Sequence, residues 1–148
     1  MEAVIFCGLQ GAGKTTLFTE KFLKTHVHIS LDLFKTRKRE SRFLSTCLET
    51  NQRFVVDNTN PTRADRLMYI KPAKERKFAV VGYYFSSNIR DALERNARRK
   101  DKERIPDIAI KGTLAKLERP SWNEGYDELY YVVTGDGNFH INEWNDEI

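Results

Sequence analysis

Eight residues near the start of the chain, Gly8-Leu-Gln-Gly-Ala-Gly-Lys-Thr15, follow the spacing G-x-x-x-x-G-K-[ST]. Gly8, Gly11 and Gly13, with the small Ala12 between the last two, let the backbone turn tightly and aim successive N–H groups into one concavity. Those dipoles, added to the N-terminus of a helix starting near Lys14, make a nest for phosphates. Lys14 brings a point charge to the β- and γ-phosphates. The Thr15 hydroxyl, followed by Thr16, is placed to ligate Mg²⁺. An apolar run, Ala3-Val-Ile-Phe-Cys7, precedes the motif and a helical pattern follows it, the context that gives this spacing its meaning. The chemistry implied is binding of ATP with Mg²⁺.

Triphosphate binding is common to kinases, switch GTPases and motor ATPases, so other polar residues must discriminate. No Asn-Lys-x-Asp for reading guanine occurs, and Phe54-Val-Val ends in Asp57-Asn58 rather than in the Asp-Glu usual in motors. A kinase needs a carboxylate to take the acceptor's proton, arginines to neutralise the transferring phosphoryl group, and a closing lid. Asp32 follows Val27-His-Ile-Ser30 at the carboxyl end of a strand, the edge where ligands collect in a parallel sheet. It suits the base and, equally, the N-cap of the next helix. Asp57 ends a strand expected beside the first, where a carboxylate commonly holds Mg²⁺ through water; the other reading is that it shapes the Asn58-Thr-Asn60 turn. Arg95, Arg98 and Arg99 lead into Lys100-Asp-Lys-Glu-Arg104, a charged stretch suited to a lid over about 99–106 whose arginines reach the ATP phosphates. Solvated i,i+4 pairs, Asp91 with Arg95 and Glu94 with Arg98, are the alternative for that helix. His26, His28 and His140 have no metal-like partners in the sequence and read as structural.

These side chains need strands and helices in alternation to hold them. Apolar runs at Ala3–Cys7, Val27–Ser30, Arg53–Asp57, Phe78–Phe85 and Leu129–Val133 read as five strands. Between them lie helical patterns over Leu17–Thr25, roughly Leu33–Thr50, from Asn60-Pro61 towards Lys77, from Ser86-Ser-Asn88 to about Arg99, and from Pro106 to about Leu117. Asn60 is the expected cap with Pro61 in the first turn, and Pro72 is a candidate kink. Alternating β and α units predict an α/β fold with a parallel sheet and helices on both faces.

At 148 residues and 17.3 kDa the chain has the size of one domain, and its nine Phe, six Tyr and two Trp supply a core. No apolar run approaches the length of a membrane span and none follows a basic region, which speaks against a membrane segment or signal peptide. Cys7 and Cys47 form no disulfide framework or zinc spacing, so a reducing cytoplasm is the expected compartment. Residues 1–117 hold 24 basic and 13 acidic side chains, a balance of +11, whereas 118–148 hold one basic and eight acidic, a balance of −7. Basic residues concentrate at Lys35, Arg37, Lys38, Arg39 and Arg42, and again over Arg90–Arg104. Such patches fit a polyanionic partner or simply solvated helix faces.

Taken together, Gly8–Thr16, His28-Ile-Ser-Leu-Asp32, Val56-Asp-Asn-Thr-Asn-Pro61 and Glu94-Arg-Asn-Ala-Arg-Arg99 resemble the kinase module of the polynucleotide 5′-hydroxyl kinases. The same holds for Ile105-Pro106, Leu117-Glu-Arg-Pro120 and Glu124-Gly-Tyr126, and the likeness covers about residues 1–133. More broadly the pattern is similar to the AAA_33 or zeta-toxin-like group of P-loop kinases. The resemblance implies a kinase-type P-loop fold: a five-stranded parallel sheet in the order 2-3-1-4-5 with a short helical lid; beyond it the charge balance marks an acidic C-terminal segment over 134–148. It implies Asp32 as the general base for a 5′-hydroxyl, with Lys14 and Arg99 stabilising the transferred phosphoryl group. Arg95 joins the phosphate-binding set, and Thr15 with Asp57 serves the Mg²⁺. The acceptor would be held by Lys35, Arg39, Asn58, Thr59 and Arg63. Two positions depart from the family: Leu31 stands where an arginine is frequent, and Lys35 replaces a bidentate guanidinium with a point charge. No phosphatase or ligase module accompanies these motifs, so strand-end repair would call on partner proteins. The activity expected is transfer of the ATP γ-phosphate to the 5′-OH of single-stranded or end-accessible DNA or RNA. A kinase of nucleosides, sugars or other small alcohols is the alternative, followed by a non-catalytic ATP-binding module.

Overall fold

The computed structural model describes residues 1–86, 88–100, 104–135 and 137–146. The runs rich in Val, Ile, Phe and Tyr become β1 (Glu2–Gly8), β2 (Val27–Ile29), β3 (Phe54–Val56), β4 (Ala79–Phe85) and β5 (Glu128–Gly135), and a further strand, β6, covers Asn138–Glu143. The sheet order is β2-β3-β1-β4-β5-β6. All neighbours run parallel except β5 and β6, which are antiparallel. The expected order 2-3-1-4-5 is thus present, and β6 extends it from within the acidic segment. β6 alternates, with Phe139 and Ile141 packed on the core and polar residues between them.

Period-two alternation on the central strand divides the core. Ala3 and Ile5 pack with Ile29, Phe54, Val56, Tyr69 and Ile70 on one face. Val4 and Phe6 pack with Leu17, Phe18, Phe22 and Phe85 on the other. Phe6 is fully buried, a placement that favours the fold by about 1.5–3 kcal/mol for a ring of this kind.

Several helix ends differ from the sequence expectation, each for a local reason. The first helix is α1 (Lys14–Leu17) continued by a π-helical turn over Phe18–Phe22. The stretch read as one helix over 33–50 is two, α2 (Leu31–Phe34) and α3 (Arg37–Glu49). Lys35 breaks it with φ 73, and Thr36 caps α3 by accepting from the Arg39 N–H. Asn60 is not a cap: it takes φ 45 and its side-chain amide donates to the Phe6 carbonyl at 2.8 Å. Thr62 caps α4 (Arg63–Glu75) instead, in a reciprocal box with Asp65, and the helix continues through Pro72. Asn88 caps α5 (Ile89–Arg98) as expected, and Pro106 precedes α6 (Asp107–Lys116).

The centre of the expected lid, residues 101–103, lies outside the described residues. Its base is closed by Asn96, whose side chain donates to the Ile105 carbonyl at 2.5 Å and accepts from the Ile105 N–H at 2.9 Å. Among the described residues no helix is long and apolar enough to cross a membrane.

Candidate active site

Because β1, β2 and β3 run parallel, their carboxyl ends deliver Gly8, the Ser30–Asp32 segment and Asp57 to one edge of the sheet. Beyond β1 the glycine-rich loop turns through Gly11 at φ 78 and Gly13 at φ 92, left-handed geometry that a side chain would strain. A Cβ on Gly13 would also meet the Phe139 ring at 3.0 Å, so β6 packs directly against the loop. The Thr59 carbonyl accepts the Gly8 N–H at 3.0 Å and ties the turn after β3 to the loop.

Lys14 is buried, and its ammonium donates to the carbonyls of Gly8 at 3.0 Å and Leu9 at 2.6 Å. Burial pulls its pKa down from 10.5 to about 8, against the attraction of Asp57; Arg99 lowers it further and Asp32 opposes that. Three charged residues expected in the site therefore act on one ammonium. A nucleotide phosphate seated there would restore the charged form. At pH 8.5 ATP binding should accordingly take up about three quarters of a proton per nucleotide, because the free Lys14 is mostly neutral and the bound one is not. Calorimetry in buffers of different ionisation enthalpy measures that number. Uptake of none would mean that Lys14 does not change its charge when the nucleotide binds.

Thr15 donates its hydroxyl hydrogen to Asp57 Oδ2 at 2.8 Å. Asp57 is buried, and its Oδ2 also lies 2.7 Å from His28 Nε2, so that ring nitrogen carries the hydrogen and donates. The His28 ring stacks on Phe18 with centroids 4.1 Å apart. A hydroxyl and a carboxylate this close are hard oxygen donors that suit Mg²⁺, which keeps several of its waters and takes few protein ligands. His28, structural by its sequence context, thus belongs to the site. The signal was strand alternation: Ile29 faces the α3–α4 core, so His28 faces the opposite side, towards α1 and the phosphate loop.

The remaining candidates separate into two groups. Asp32 is exposed in the first turn of α2, whose N-cap is Ser30; Asp32 makes no capping bond. Arg95 donates to the Gly11 carbonyl at 3.0 Å and so touches the loop, and Arg99 is the C-cap residue of α5. Lys35 and Arg39 are exposed at and just beyond the break between α2 and α3. Asn58 and Arg63 instead have partners within the fold. Asn58 accepts from the Leu31 N–H at 2.9 Å and donates to Glu40 at 2.9 Å, inside a network with the Tyr69 hydroxyl. Arg63 donates to Ser121 and Asn123, both at 2.8 Å, on the side where Arg66 is fully buried against Glu124 at 2.8 Å.

Comparison with known proteins bears on the family and the fold. The AAA_33 family model, described as AAA domain, matches residues 4–120. A Schizosaccharomyces pombe protein named bifunctional polynucleotide phosphatase/kinase is 26% identical over 135 residues, 88% of this chain and 33% of its own length. An Acanthamoeba polyphaga mimivirus relative is 31% identical over 81 residues, 54% of this chain and 19% of its own. The chain thus spans a third or less of the curated relatives it matches. Among solved structures, Chaetomium thermophilum Kti12 in complex with ADP-AlF3 superposes with a TM-score of 0.69 at 15% identity, covering 90% of each chain. A gluconokinase from Sinorhizobium meliloti 1021 gives 0.61 at 17% identity, over 89% of this chain and 82% of that one. These likenesses establish a P-loop fold of the kinase type.

Proposed function

This chain is a member of the AAA_33 family, and on that basis we propose that it is an ATP-dependent kinase that moves the γ-phosphate of ATP to the 5′-hydroxyl end of a DNA or RNA strand. The observation that carries this reading is the likeness, over most of this chain, to the Schizosaccharomyces pombe protein named for polynucleotide phosphatase and kinase. The electrostatic convergence of Asp57, Arg99 and Asp32 on the buried Lys14 supports phosphoryl transfer as the chemistry, whatever the acceptor.

In this reading the loop N–H groups and Lys14 hold the ATP phosphates, and Arg95 and Arg99 approach from α5. Asp32 accepts the proton of the acceptor hydroxyl as its oxygen bonds to the γ-phosphorus and the bond to the β–γ bridging oxygen breaks, releasing ADP. Mg²⁺, held by Thr15 and Asp57, would neutralise charge on the β- and γ-oxygens. His28 keeps the Asp57 carboxylate oriented throughout. The product, a 5′-phosphorylated end, is the form a ligase consumes.

Label transfer from γ-labelled ATP is the test, with a 5′-OH oligonucleotide set against nucleosides and sugar acids. The oligonucleotide should be labelled, and its KM should rise steeply with salt, by about 0.7 in logarithmic slope for each phosphate contacted on a single strand. The KM for ATP should respond less. Labelling of a small alcohol with none on the oligonucleotide would overturn the reading and put the small-molecule kinase first.

A further inference from the structure

Four cations lie beyond Asp32. Lys35, Lys38, Arg39 and Arg42 are exposed, and none joins an ion pair among the described residues. Their neighbour Arg37 differs: it is held by Glu40 at 3.2 Å and by the Tyr69 hydroxyl at 2.7 Å. Among the unpaired cations stands an aromatic ring. Phe43 is next to Arg42, one helical turn after Arg39, and is 48% exposed. Its ring lies parallel to that of Phe34, with centroids 4.4 Å apart and an interplanar angle of 5°. Phe34 is itself anchored in the core. The exposed part of Phe43 is therefore a rigid surface backed by a buried ring.

A single exposed Phe is ordinary on a protein surface. A pinned ring framed by uncompensated cations is a different feature, because single strands are held by Lys and Arg on phosphates and by aromatic rings stacked on bases. We infer that Phe43 is a stacking platform for a base of the acceptor strand beyond the 5′-terminal nucleotide, with Arg39 and Arg42 on the flanking phosphates. This rests on the polynucleotide reading above. The location fits: α2 carries Asp32 in its first turn and Phe34 at its end, and four helical residues span about 6 Å. Through Phe34 the Phe43 ring adjoins the helix that carries Asp32, so a strand leaving the reacting end can pass beside it. The positive charge also names the occupant, since an apolar protein partner would gain nothing from four unpaired cations.

The test compares wild type with Phe43→Ala and Phe43→Trp on acceptors of increasing length, from a nucleoside 3′-monophosphate to oligonucleotides of two, four and eight residues. Phe43→Ala should raise the KM for the oligonucleotides by about 5- to 150-fold, the range for losing one base–ring stack. The loss should be confined to acceptors carrying a second base, and Phe43→Trp should restore it. Equal losses on the mononucleotide, or none on the oligonucleotides, overturn the platform. A binding arm separates this result from failure of the polynucleotide reading. In the Phe43→Trp protein, a single-stranded oligonucleotide should quench fluorescence beyond the change seen from native Trp122 and Trp144, whether or not phosphate is transferred. Absence of that added quenching overturns the platform, as does a self-association of the wild type that Phe43→Ala abolishes.

Discussion

Replacing Lys14 by Ala is expected to lower phosphoryl transfer by about 10³-fold or more, the loss that follows removal of a positioned charge from a developing anion. The fold should survive. The ammonium is buried at a cost, as its depressed pKa records, and its two bonds run to carbonyls of its own loop, not to the core. Removing it relieves that cost, so the melting temperature should hold or rise while ATP affinity falls. Activity and a thermal melt on the same preparation check both halves. Near-normal turnover would mean that the loop does not hold the phosphates of the reacting nucleotide.

Asp32→Asn should be the second largest effect, a fall in kcat of at least about 10²-fold with ATP still bound. Asn keeps the shape of the side chain and removes only its basicity. The competing explanation for an Asp here, that it caps α2, does not fit its place: the N-cap position is Ser30, and Asp32 lies inside the first turn. What α2 would lose is the favourable charge at its first turn, worth about 0.3–1 kcal/mol, too little to unfold it. Nucleotide affinity should hold or tighten, because Asp32 is a negative charge that the triphosphate would otherwise face. A kcat within a few-fold of wild type would remove Asp32 from the reaction.

The parts of this molecule legible in the sequence are those written in contiguous residues. Gly8–Thr15 announces a phosphate nest because the spacing of one loop is enough to form it, and the apolar runs announce strands most plainly in β1, β3 and β4, which are buried nearly throughout. Where a local signal is ambiguous, distant contacts decide the structure. Asn60-Pro61 and Thr62-Arg-Ala-Asp65 both signal a helix start, and only the pull of the Phe6 carbonyl on the Asn60 amide decides between them. The break at Lys35 requires a positive φ in a residue that does not announce one. Contacts distant in sequence left no trace at all. His28 with Asp57, Asn58 with Glu40 and Tyr69, and Arg66 with Glu124 join residues 11 to 58 positions apart, and nothing in composition pairs them.

β6 ends the sheet on one side and sets Phe139 against Gly13 on the other. An edge strand held along one flank only belongs among the elements that open at the lowest free energy, well below global unfolding. Each such opening would lift the ring from the glycine while the central strands stay intact. If the Phe139–Gly13 contact shapes the phosphate nest, exchange protection of the Asn138–Glu143 amides should change when nucleotide binds, and amide exchange measured with and without ATP checks it.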